Sequence, residues 1–275
     1  MTAALIHGQH DNHTAWVMAQ MALFAYGSPD EVARDLHDMN RVLFPGEIFA
    51  VRSFDVPETG TQCYIAKGAG FVVLAFRGTE PDQMRDLLTD LHVVRDAGPF
   101  ASKHSSVHRG FWESLRSALK ADQGLIEYLS DATADGTDLF LVGHSLGGAL
   151  ATLMAAFLAN GSWPQPTVYT FGSPRVGNVG FATLYDRYVP ATFRYVNDQD
   201  AWSRLPLPLR FRHVGELFFI DEKLEIHARP SFWQYAWNRY IRALTPLSWL
   251  RNGLGDHAML RYVVATSQQE GVRLP

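Results

Sequence analysis

The fold is decided by the stretch Leu141-Val142-Gly143-His144-Ser145-Leu146-Gly147-Gly148-Ala149, in which an apolar strand turns sharply into a helix. A G-x-S-x-G pattern in this context is typical of a nucleophilic serine presented at the end of a sheet. Side chains at Gly143 and Gly147 are expected to clash in so sharp a turn. We therefore predict that Ser145 projects from the sheet beside the positive end of a helix, which favours a developing oxyanion.

The segments around this turn alternate between apolar strands and helices. Strands are predicted at 47–56, 61–67, 71–76, 138–142, 166–171, 193–196, 211–214 and 217–220. Helices are predicted at 14–26, 111–119, 125–129 and 146–159. Gly27-Ser28-Pro29 is expected to end the first of these, and Asp30 is expected to cap the helix that follows it. Apolar strands that alternate with helices indicate an α/β fold with a mostly parallel sheet covered on both faces. The first three strands read as an antiparallel meander, so the sheet is mixed, and residues 1–275 read as one domain.

The composition excludes several classes of protein and site. The chain has 275 residues, a net charge of −4 and a pI near 6.2, so we expect no nucleic-acid partner. Its one cysteine, Cys63, excludes an internal disulfide and the zinc sites built from cysteine pairs. Because Cys63 lies in an apolar run, we predict a small buried side chain rather than a reactive thiol.

The N-terminal stretch is polar and carries His7, His10 and His13 at intervals of three. Metal binding is one interpretation of this spacing, and a solvated tail is the favoured one. We expect no signal peptide in this sequence, because no basic start precedes a long apolar run. A cytoplasmic protein and a secreted protein whose signal has been removed both remain open.

A serine hydroxyl needs a general base, and three histidines follow Ser145. We favour His257, because it follows the flexible loop Gly253-Leu254-Gly255-Asp256 and precedes a helix. His213 lies in a strand-like segment and reads as structural, whereas His227 lies at the start of an aromatic segment. His144 is adjacent to the serine on a sharp turn, so we predict that it packs rather than acts as the base.

The base needs an acid that orients it, and in this arrangement the acid lies between the serine and the histidine in the chain. Asp200 follows the strand at 193–196 and so lies at the carboxyl end of the sheet, where the sites of open α/β folds gather. Asp198, in the same turn, is the rival candidate.

The ordered motifs of this chain resemble those of the class 3 lipases, the filamentous-fungal type of lipase with an α/β-hydrolase fold. The resemblance extends from about Trp16 to Val264. Its motifs are Phe76-Arg77-Gly78-Thr79, Val107-His108-Arg109-Gly110-Phe111, Gly143 to Ala151, Phe171-Gly172-Ser173-Pro174-Arg175-Val176-Gly177-Asn178, Arg194-Tyr195-Val196-Asn197 with Asp200, and Asp256-His257. The resemblance implies that Ser145 is the nucleophile, Asp200 the acid and His257 the base. It further implies an oxyanion hole formed by Thr79 and by the backbone N–H of Leu146.

The resemblance also implies a lid at 80–91, where Met84, Leu87 and Leu88 could form an apolar face at helical spacing. An ordinary amphipathic turn at the surface is the alternative. The chain departs from the family in lacking the disulfides of secreted fungal members and the lid tryptophan of some relatives. It carries an aromatic insertion at 228–254. The residues Trp233, Trp237 and Tyr240 suit an interfacial helix or a second cap, and packing on the core is the alternative.

We therefore expect a serine carboxylic ester hydrolase, a lipase that cleaves acylglycerol-type esters through an acyl-enzyme. Alternatives within the resemblance are a phospholipase A1 or galactolipase and a short-chain or feruloyl-type esterase. A non-catalytic lipid-binding hydrolase fold is the alternative from another class. The expected partners are an ester substrate and, transiently, a lipid surface. No obligate protein partner, metal or organic cofactor is required by this chemistry.

Overall fold

The computed structural model describes residues 4–42, 48–79, 95–121, 124–134, 136–198, 200, 202–205, 210–230 and 257–271. Its helices are α1 (Asn12–Phe24), α2 (Pro29–Val42), α3 (Arg109–Lys120), α4 (Leu125–Thr133), α5 (Leu146–Ala159), α6 (Val179–Tyr188) and α7 (Met259–Glu270). Its strands are β1 (Ile48–Val56), β2 (Thr61–Gly68), β3 (Phe71–Phe76), β4 (Arg95–Asp96), β5 (Val107–His108), β6 (Asp138–His144), β7 (Thr167–Phe171), β8 (Thr192–Asn197), β9 (Glu216–Ile220) and β10 (Ile226–Ala228). A 3₁₀ turn spans Trp202–Arg204.

Eight strands of the described chain form one sheet in the order β1-β2-β3-β6-β7-β8-β9-β10. β1, β2 and β3 pair antiparallel, as the predicted meander requires. β3, β6, β7, β8 and β9 then pair in parallel, and β10 adds antiparallel to β9. The prediction of a mixed, mostly parallel sheet is confirmed. Because parallel strands end at one edge, the residues that follow β3, β6, β7 and β8 gather there.

Helices cover both faces of the sheet and enclose two apolar cores. Leu139 and Leu141 of β6 join the core formed with α3, α4, α5 and α6. Phe140 and Val142 point the other way and join the core formed with α1, α2 and α7. Successive side chains of a strand point to opposite faces, so a strand buried on both faces must be apolar throughout. This explains the continuous apolar run that precedes the Ser145 turn.

Cys63 lies in β2, opposite Phe54 of β1 and Phe76 of β3. The side chain is buried, and this burial raises the pKa of the thiol to about 12. The thiol therefore stays protonated near neutral pH, and the prediction of a small buried hydrophobic residue is confirmed.

The N-terminus of α2 corrects one prediction, because its cap is Ser28 and not Asp30. The Ser28 N–H and hydroxyl each donate to Glu31 Oε2 at 2.8 Å. The Glu31 N–H in turn donates to Ser28 Oγ at 3.4 Å, which completes a capping box in front of Pro29 at the first helical position.

The segment after β8 differs from the prediction in two places. Residues 211–214 do not form a strand, and Arg212 makes only an isolated bridge to Gly177. β10 was not predicted, since it has only three residues and none of them is buried, so it lacks the apolar pattern of a buried strand. It joins β9 through a tight turn in which Asp221 Oδ1 accepts hydrogen bonds from the backbone N–H groups of Lys223 and Glu225.

The N-terminal stretch packs on the domain, so the expectation of a solvated tail is wrong. His10 stacks on Phe218 of β9 at a centroid distance of 4.0 Å and lies 2.7 Å from the Tyr195 hydroxyl. His7 and His13 contact Gln165 O and Glu270 Oε1, respectively. The three rings have separate partners, and in the described part of the chain they do not form a metal-ligating group.

Two predicted segments lie outside the described residues. They are the lid at 80–91, with Met84, Leu87 and Leu88, and positions 231–254 of the aromatic insertion, with Trp233, Trp237 and Tyr240. Among the helices that are described, none is both long and apolar enough to cross a membrane.

Candidate active site

Ser145 occupies a strained turn between β6 and α5. Its backbone has φ 57° and ψ −126°, a region that residues with a side chain rarely adopt. Such a conformation costs about 1–3 kcal/mol and persists only where the surroundings hold it. The Ser145 N–H donates to Phe171 O at 2.9 Å, which ties the turn to the end of β7.

The flanking glycines are required by close backbone contacts. A Cβ at Gly143 would collide with the Gly147 carbonyl group, and one at Gly147 would collide with Phe76 O. A Cβ at Gly148 would lie 2.7 Å from Ser173 Cβ, so this glycine lets α5 approach the strand that follows in the sheet. The prediction that side chains at Gly143 and Gly147 would clash in this turn is confirmed.

The segment Arg77-Gly78-Thr79, which directly follows β3, runs beside this turn. A Cβ at Gly78 would lie 2.6 Å from His144 O and 3.2 Å from Ser145 Cβ, so a residue with a side chain would not fit at this position beside the serine turn. Thr79 is half-buried, and Leu146 is the first residue of α5. Both residues assigned to the oxyanion hole by resemblance thus lie on segments adjacent to Ser145.

Asp200 and His257 form a buried pair, although they lie 57 residues apart in the chain. His257 Nδ1 lies 2.9 Å from both Asp200 Oδ1 and Asp200 Oδ2. The exposed fraction is 0% for Asp200 and 3% for His257. The rival acid Asp198 is not in this contact, so the geometry selects Asp200 as the partner of His257.

Further donors converge on the Asp200 carboxylate. The backbone N–H groups of Trp202 and Ser203 donate to Oδ1 at 2.9 and 3.2 Å, from the first turn after the aspartate. The Tyr262 hydroxyl donates to Oδ2 at 2.6 Å and accepts from the Asn197 N–H at 3.2 Å. A carboxylate oxygen accepts hydrogen bonds, so both oxygens of Asp200 are held in place by these donors.

These contacts determine which nitrogen of His257 is available. Nδ1 faces a carboxylate, so it carries the proton and donates. Nε2 is then an acceptor, and it is buried without a hydrogen-bond partner among the described residues. A buried, unoccupied imidazole nitrogen whose ring is held by a carboxylate is suited to accept a proton.

Gly172, directly after β7, lets the strand pass beneath this pair. Its φ is +58°, and a Cβ there would lie 2.6 Å from Asp200 Oδ2 and 3.2 Å from His257 Cε1. The sheet edge therefore brings the end of β7 against the acid and the base at once.

The other histidines considered from the sequence have different surroundings. Burial, together with Arg194 and Arg175, lowers the pKa of His213 well below its usual value. His227 lies 2.9 Å from Asp221 on the exposed β9–β10 turn. His144 is buried with both ring nitrogens in hydrogen bonds, so the prediction that it packs is confirmed.

Three residues around the pair were not found from the sequence, namely Tyr26, Trp202 and Tyr262. Tyr262 lies one helical turn into α7 after His257, and a buried polar residue on the apolar face of that helix was the only available signal. Trp202 contributes its backbone N–H, which no side-chain pattern reveals.

Comparison with known proteins identifies what this arrangement resembles. Residues 73–209 match the profile of the family described as Lipase (class 3). The chain is 38% identical over 171 residues to secreted mono- and diacylglycerol lipase 1 of Fusarium solani, covering 60% of this chain and 49% of that protein. It is 34% identical over 170 residues to secreted mono- and diacylglycerol lipase A of Penicillium cyclopium, covering 59% and 52%. The chain thus spans about half the length of the curated relatives it matches.

Solved structures show the same fold. The triacylglyceride lipase of Rhizomucor miehei matches with a TM-score of 0.65 at 22% identity, over 79% of this chain and 82% of that one. A triacylglycerol lipase whose catalytic centre is described as a serine protease triad matches with a TM-score of 0.61 at 23% identity, over 75% and 78%. The α/β-hydrolase fold expected from the sequence is confirmed.

Proposed function

Because the chain belongs to the class 3 lipase family, we propose that it is a serine ester hydrolase that cleaves acylglycerol-type esters through Ser145, His257 and Asp200. One observation carries the proposal. The buried Asp200–His257 pair leaves Nε2 of the histidine without a hydrogen-bond partner among the described residues, at the sheet edge where the strained Ser145 turn also lies.

In the first half of the reaction, His257 Nε2 removes the hydroxyl proton as Ser145 Oγ attacks the ester carbonyl carbon. The C–O π bond opens, and the negative charge moves to the carbonyl oxygen. Asp200 keeps the proton on Nδ1 and stabilises the imidazolium that forms. The imidazolium then gives its proton to the leaving alcohol as the ester C–O bond breaks, which leaves an acyl-Ser145 ester.

The backbone N–H groups of Thr79 and Leu146 and the Thr79 hydroxyl donate hydrogen bonds to the oxyanion. Two observations support this assignment: Gly78 lies so near the serine turn that an added Cβ would be 3.2 Å from Ser145 Cβ, and α5 begins at Leu146. Loss of one such donor typically lowers turnover by about 10²–10³-fold.

In the second half, water takes the position of the alcohol. His257 Nε2 accepts a proton from the water as its oxygen attacks the acyl carbon, and the same donors receive the second oxyanion. Collapse releases the carboxylic acid and returns the proton to Ser145 Oγ. Each proton moves through one nitrogen, and the side chains described are sufficient for the cycle.

Partial glycerides are the substrates that the comparisons support, because both fungal relatives bear the name mono- and diacylglycerol lipase. Those names also include the word secreted, which supports export over a cytoplasmic location. Transient contact with a lipid surface is part of the proposal. It is supported by Leu260, which is 59% exposed and lies three residues after His257.

The test is acid release from emulsified mono-, di- and triacylglycerols by the wild-type protein and by Ser145→Ala. Loss of the nucleophile should lower turnover by about 10⁶-fold, as in other serine hydrolases. Ser130→Ala is the matched control, because Ser130 is exposed on α4, and it should retain full activity. Hydrolysis that persists in Ser145→Ala would overturn the proposal. Phosphatidylcholine and p-nitrophenyl acetate in parallel assays separate the phospholipase and short-chain alternatives.

A further inference from the structure

His144 holds two hydrogen bonds that link the serine turn to the base. Its Nε2 lies 2.7 Å from the backbone carbonyl oxygen of His257, and its Nδ1 lies 2.7 Å from the Tyr26 hydroxyl. The His144 ring also faces the His257 ring at a centroid distance of 4.5 Å. Both nitrogens of this buried ring therefore have partners, and one of these partners is the backbone of the base itself.

The direction of both hydrogen bonds follows from the carbonyl. A carbonyl oxygen only accepts, so His144 Nε2 carries the proton and donates to His257 O. His144 Nδ1 is then the acceptor and receives the proton of the Tyr26 hydroxyl. Burial and the neighbouring His257 lower the pKa of His144 well below its usual value, which favours the neutral ring that this pair of hydrogen bonds requires.

The neutral state of His144 matters to its neighbour. His257 must become a cation when it takes the Ser145 proton, and a second cation in ring contact would oppose this step. Tyr26, His257 and Tyr262 face the His144 ring, and none of them supplies a negative charge that would favour protonation of His144.

The link constrains the site because His144 is covalently bonded to Ser145. A hydrogen bond from this ring to the His257 backbone fixes the base relative to the serine turn, independently of Asp200. Asp200 orients the imidazole ring, whereas His144 fixes the backbone that carries it. The two contacts constrain different parts of the same residue.

Tyr26 extends the link to the segment Arg77-Gly78-Thr79 that follows β3. A Cβ on Gly78 would collide with the Tyr26 hydroxyl and would lie 2.6 Å from His144 O. The Arg77 guanidinium lies 5.6 Å from the centre of the Tyr26 ring. Tyr26, just after α1, is therefore packed against the end of β3 while it donates to His144.

We propose that His144 and Tyr26 are positioning residues that hold the backbone of the base His257 against the Ser145 turn, through the chain of hydrogen bonds from the Tyr26 hydroxyl to His144 and on to the His257 carbonyl. The inference rests on the proposed function, because it assigns His257 as the base.

The test compares His144→Gln with His144→Leu on a soluble ester, p-nitrophenyl butyrate. A glutamine side chain offers one donor and one acceptor, so it can replace both hydrogen bonds, whereas leucine fills space without either. We expect His144→Leu to lower kcat by about 10²-fold with KM unchanged, since a small misplacement of a reacting group has this effect. His144→Gln should recover at least about tenfold of that loss.

Tyr26→Phe is a second test, which remains informative if the His144 variants fail to fold, because it removes only a hydroxyl. We expect it to lower kcat by about three- to tenfold without a change in KM, as loss of one buried hydrogen bond implies. A readout apart from activity is the tautomer of His144 in ¹⁵N-histidine-labelled protein at pH 7.5. The proton should reside on Nε2, and a proton on Nδ1 would overturn the proposal.

The outcomes separate this inference from the proposed function. Wild-type hydrolysis that Ser145→Ala abolishes, together with full kcat in His144→Leu, would overturn the positioning role alone. Equal kcat losses in His144→Gln and His144→Leu would also overturn it, because packing and not hydrogen bonding would then matter. Hydrolysis that survives Ser145→Ala would instead overturn the proposed function.

Discussion

At the scale of single residues, the candidate site depends on buried hydrogen bonds whose donors come from four separate segments. Asp200 receives donors from its own turn, from His257 and from Tyr262 of α7, while His144 anchors the His257 backbone. The atoms of Asp200 and His257 that orient the base have hydrogen-bond partners, whereas His257 Nε2, the nitrogen assigned to proton transfer, has none in the part of the chain that the structure describes. This division is the physical signature of a site that is preorganised before substrate binds.

Tyr262→Phe tests the support of the acid. The change removes the 2.6 Å hydrogen bond to Asp200 Oδ2 and leaves the buried Asn197 N–H without the acceptor that the hydroxyl provided. A hydrogen bond to a charged group contributes about 1.5–3 kcal/mol, so we expect kcat/KM to fall by about tenfold or more. Steady-state kinetics on p-nitrophenyl butyrate measures it.

Tyr188→Phe is the matched control for this experiment, because Tyr188 is 42% exposed on α6. It should leave kcat/KM within about twofold of the wild type, as ordinary surface substitutions do. Equal kinetics in the two variants would show that the Tyr262 hydroxyl does not support Asp200.

At the scale of elements, much of the site follows from where neighbouring parallel strands end. The sequence was sufficient to predict the β6–α5 turn, because an apolar strand, flanking glycines and a small-residue helix are local features. Chain order and the ends of elements also led to Asp200 and His257 as a pair, and the structure places these two side chains in contact. It could not predict that Tyr26 meets His144, 118 residues later, because packing of α1 against the sheet creates that contact. The strand predicted at 211–214 was wrong for a similar reason, because strand formation depends on pairing with another segment, and in the described chain Arg212 makes an isolated bridge to Gly177.

Gly172→Ala tests the close approach of β7 to the acid and base. The backbone has a φ of +58°, and the added Cβ would lie 2.6 Å from Asp200 Oδ2. We expect activity to fall by about 10²-fold, because the pair must shift to make room. The strained backbone should in addition lower the free energy of unfolding by about 1–3 kcal/mol.

Gly136→Ala is the matched control, because it tests the effect of an alanine at a positive φ on stability without any contact to the site. Gly136 has a φ of +70°, and a Cβ there would meet nothing within 4 Å. This variant should lose a similar amount of stability in urea unfolding and retain its activity. If Gly172→Ala kept wild-type activity, the described contact between β7 and the pair would be contradicted.

At the scale of the whole molecule, four histidines outside the candidate triad are buried or partly buried. Burial lowers the pKa of His10, His108, His144 and His213 below the usual 6.5. Below about pH 6.5 the unfolded chain therefore binds protons that the folded chain does not. The free energy of unfolding should accordingly fall as the pH decreases from 7.5 towards 5. Urea unfolding midpoints measured across this range check the direction.

His108→Phe shows whether these histidines cause the decrease. Neither ring nitrogen of His108 has a hydrogen-bond partner among the described residues, and the ring packs on Phe111 at 4.3 Å. Phenylalanine keeps that packing and removes one titrating group, so the midpoint should depend less on pH. His104→Gln, at an exposed position, should retain the wild-type dependence. Identical dependence in all three proteins would contradict the explanation.

The central claim is that His257 and Asp200 activate Ser145 as a nucleophile, and covalent labelling by a fluorophosphonate tests it most directly. Intact mass spectrometry of the wild-type protein should show one adduct per chain, and peptide mapping should locate it on Ser145. Asp200→Asn should slow the labelling by about 10⁴-fold, because its amide leaves the imidazole in the wrong tautomer. Absence of an adduct on the folded wild-type chain, or an adduct on another serine, would contradict the account.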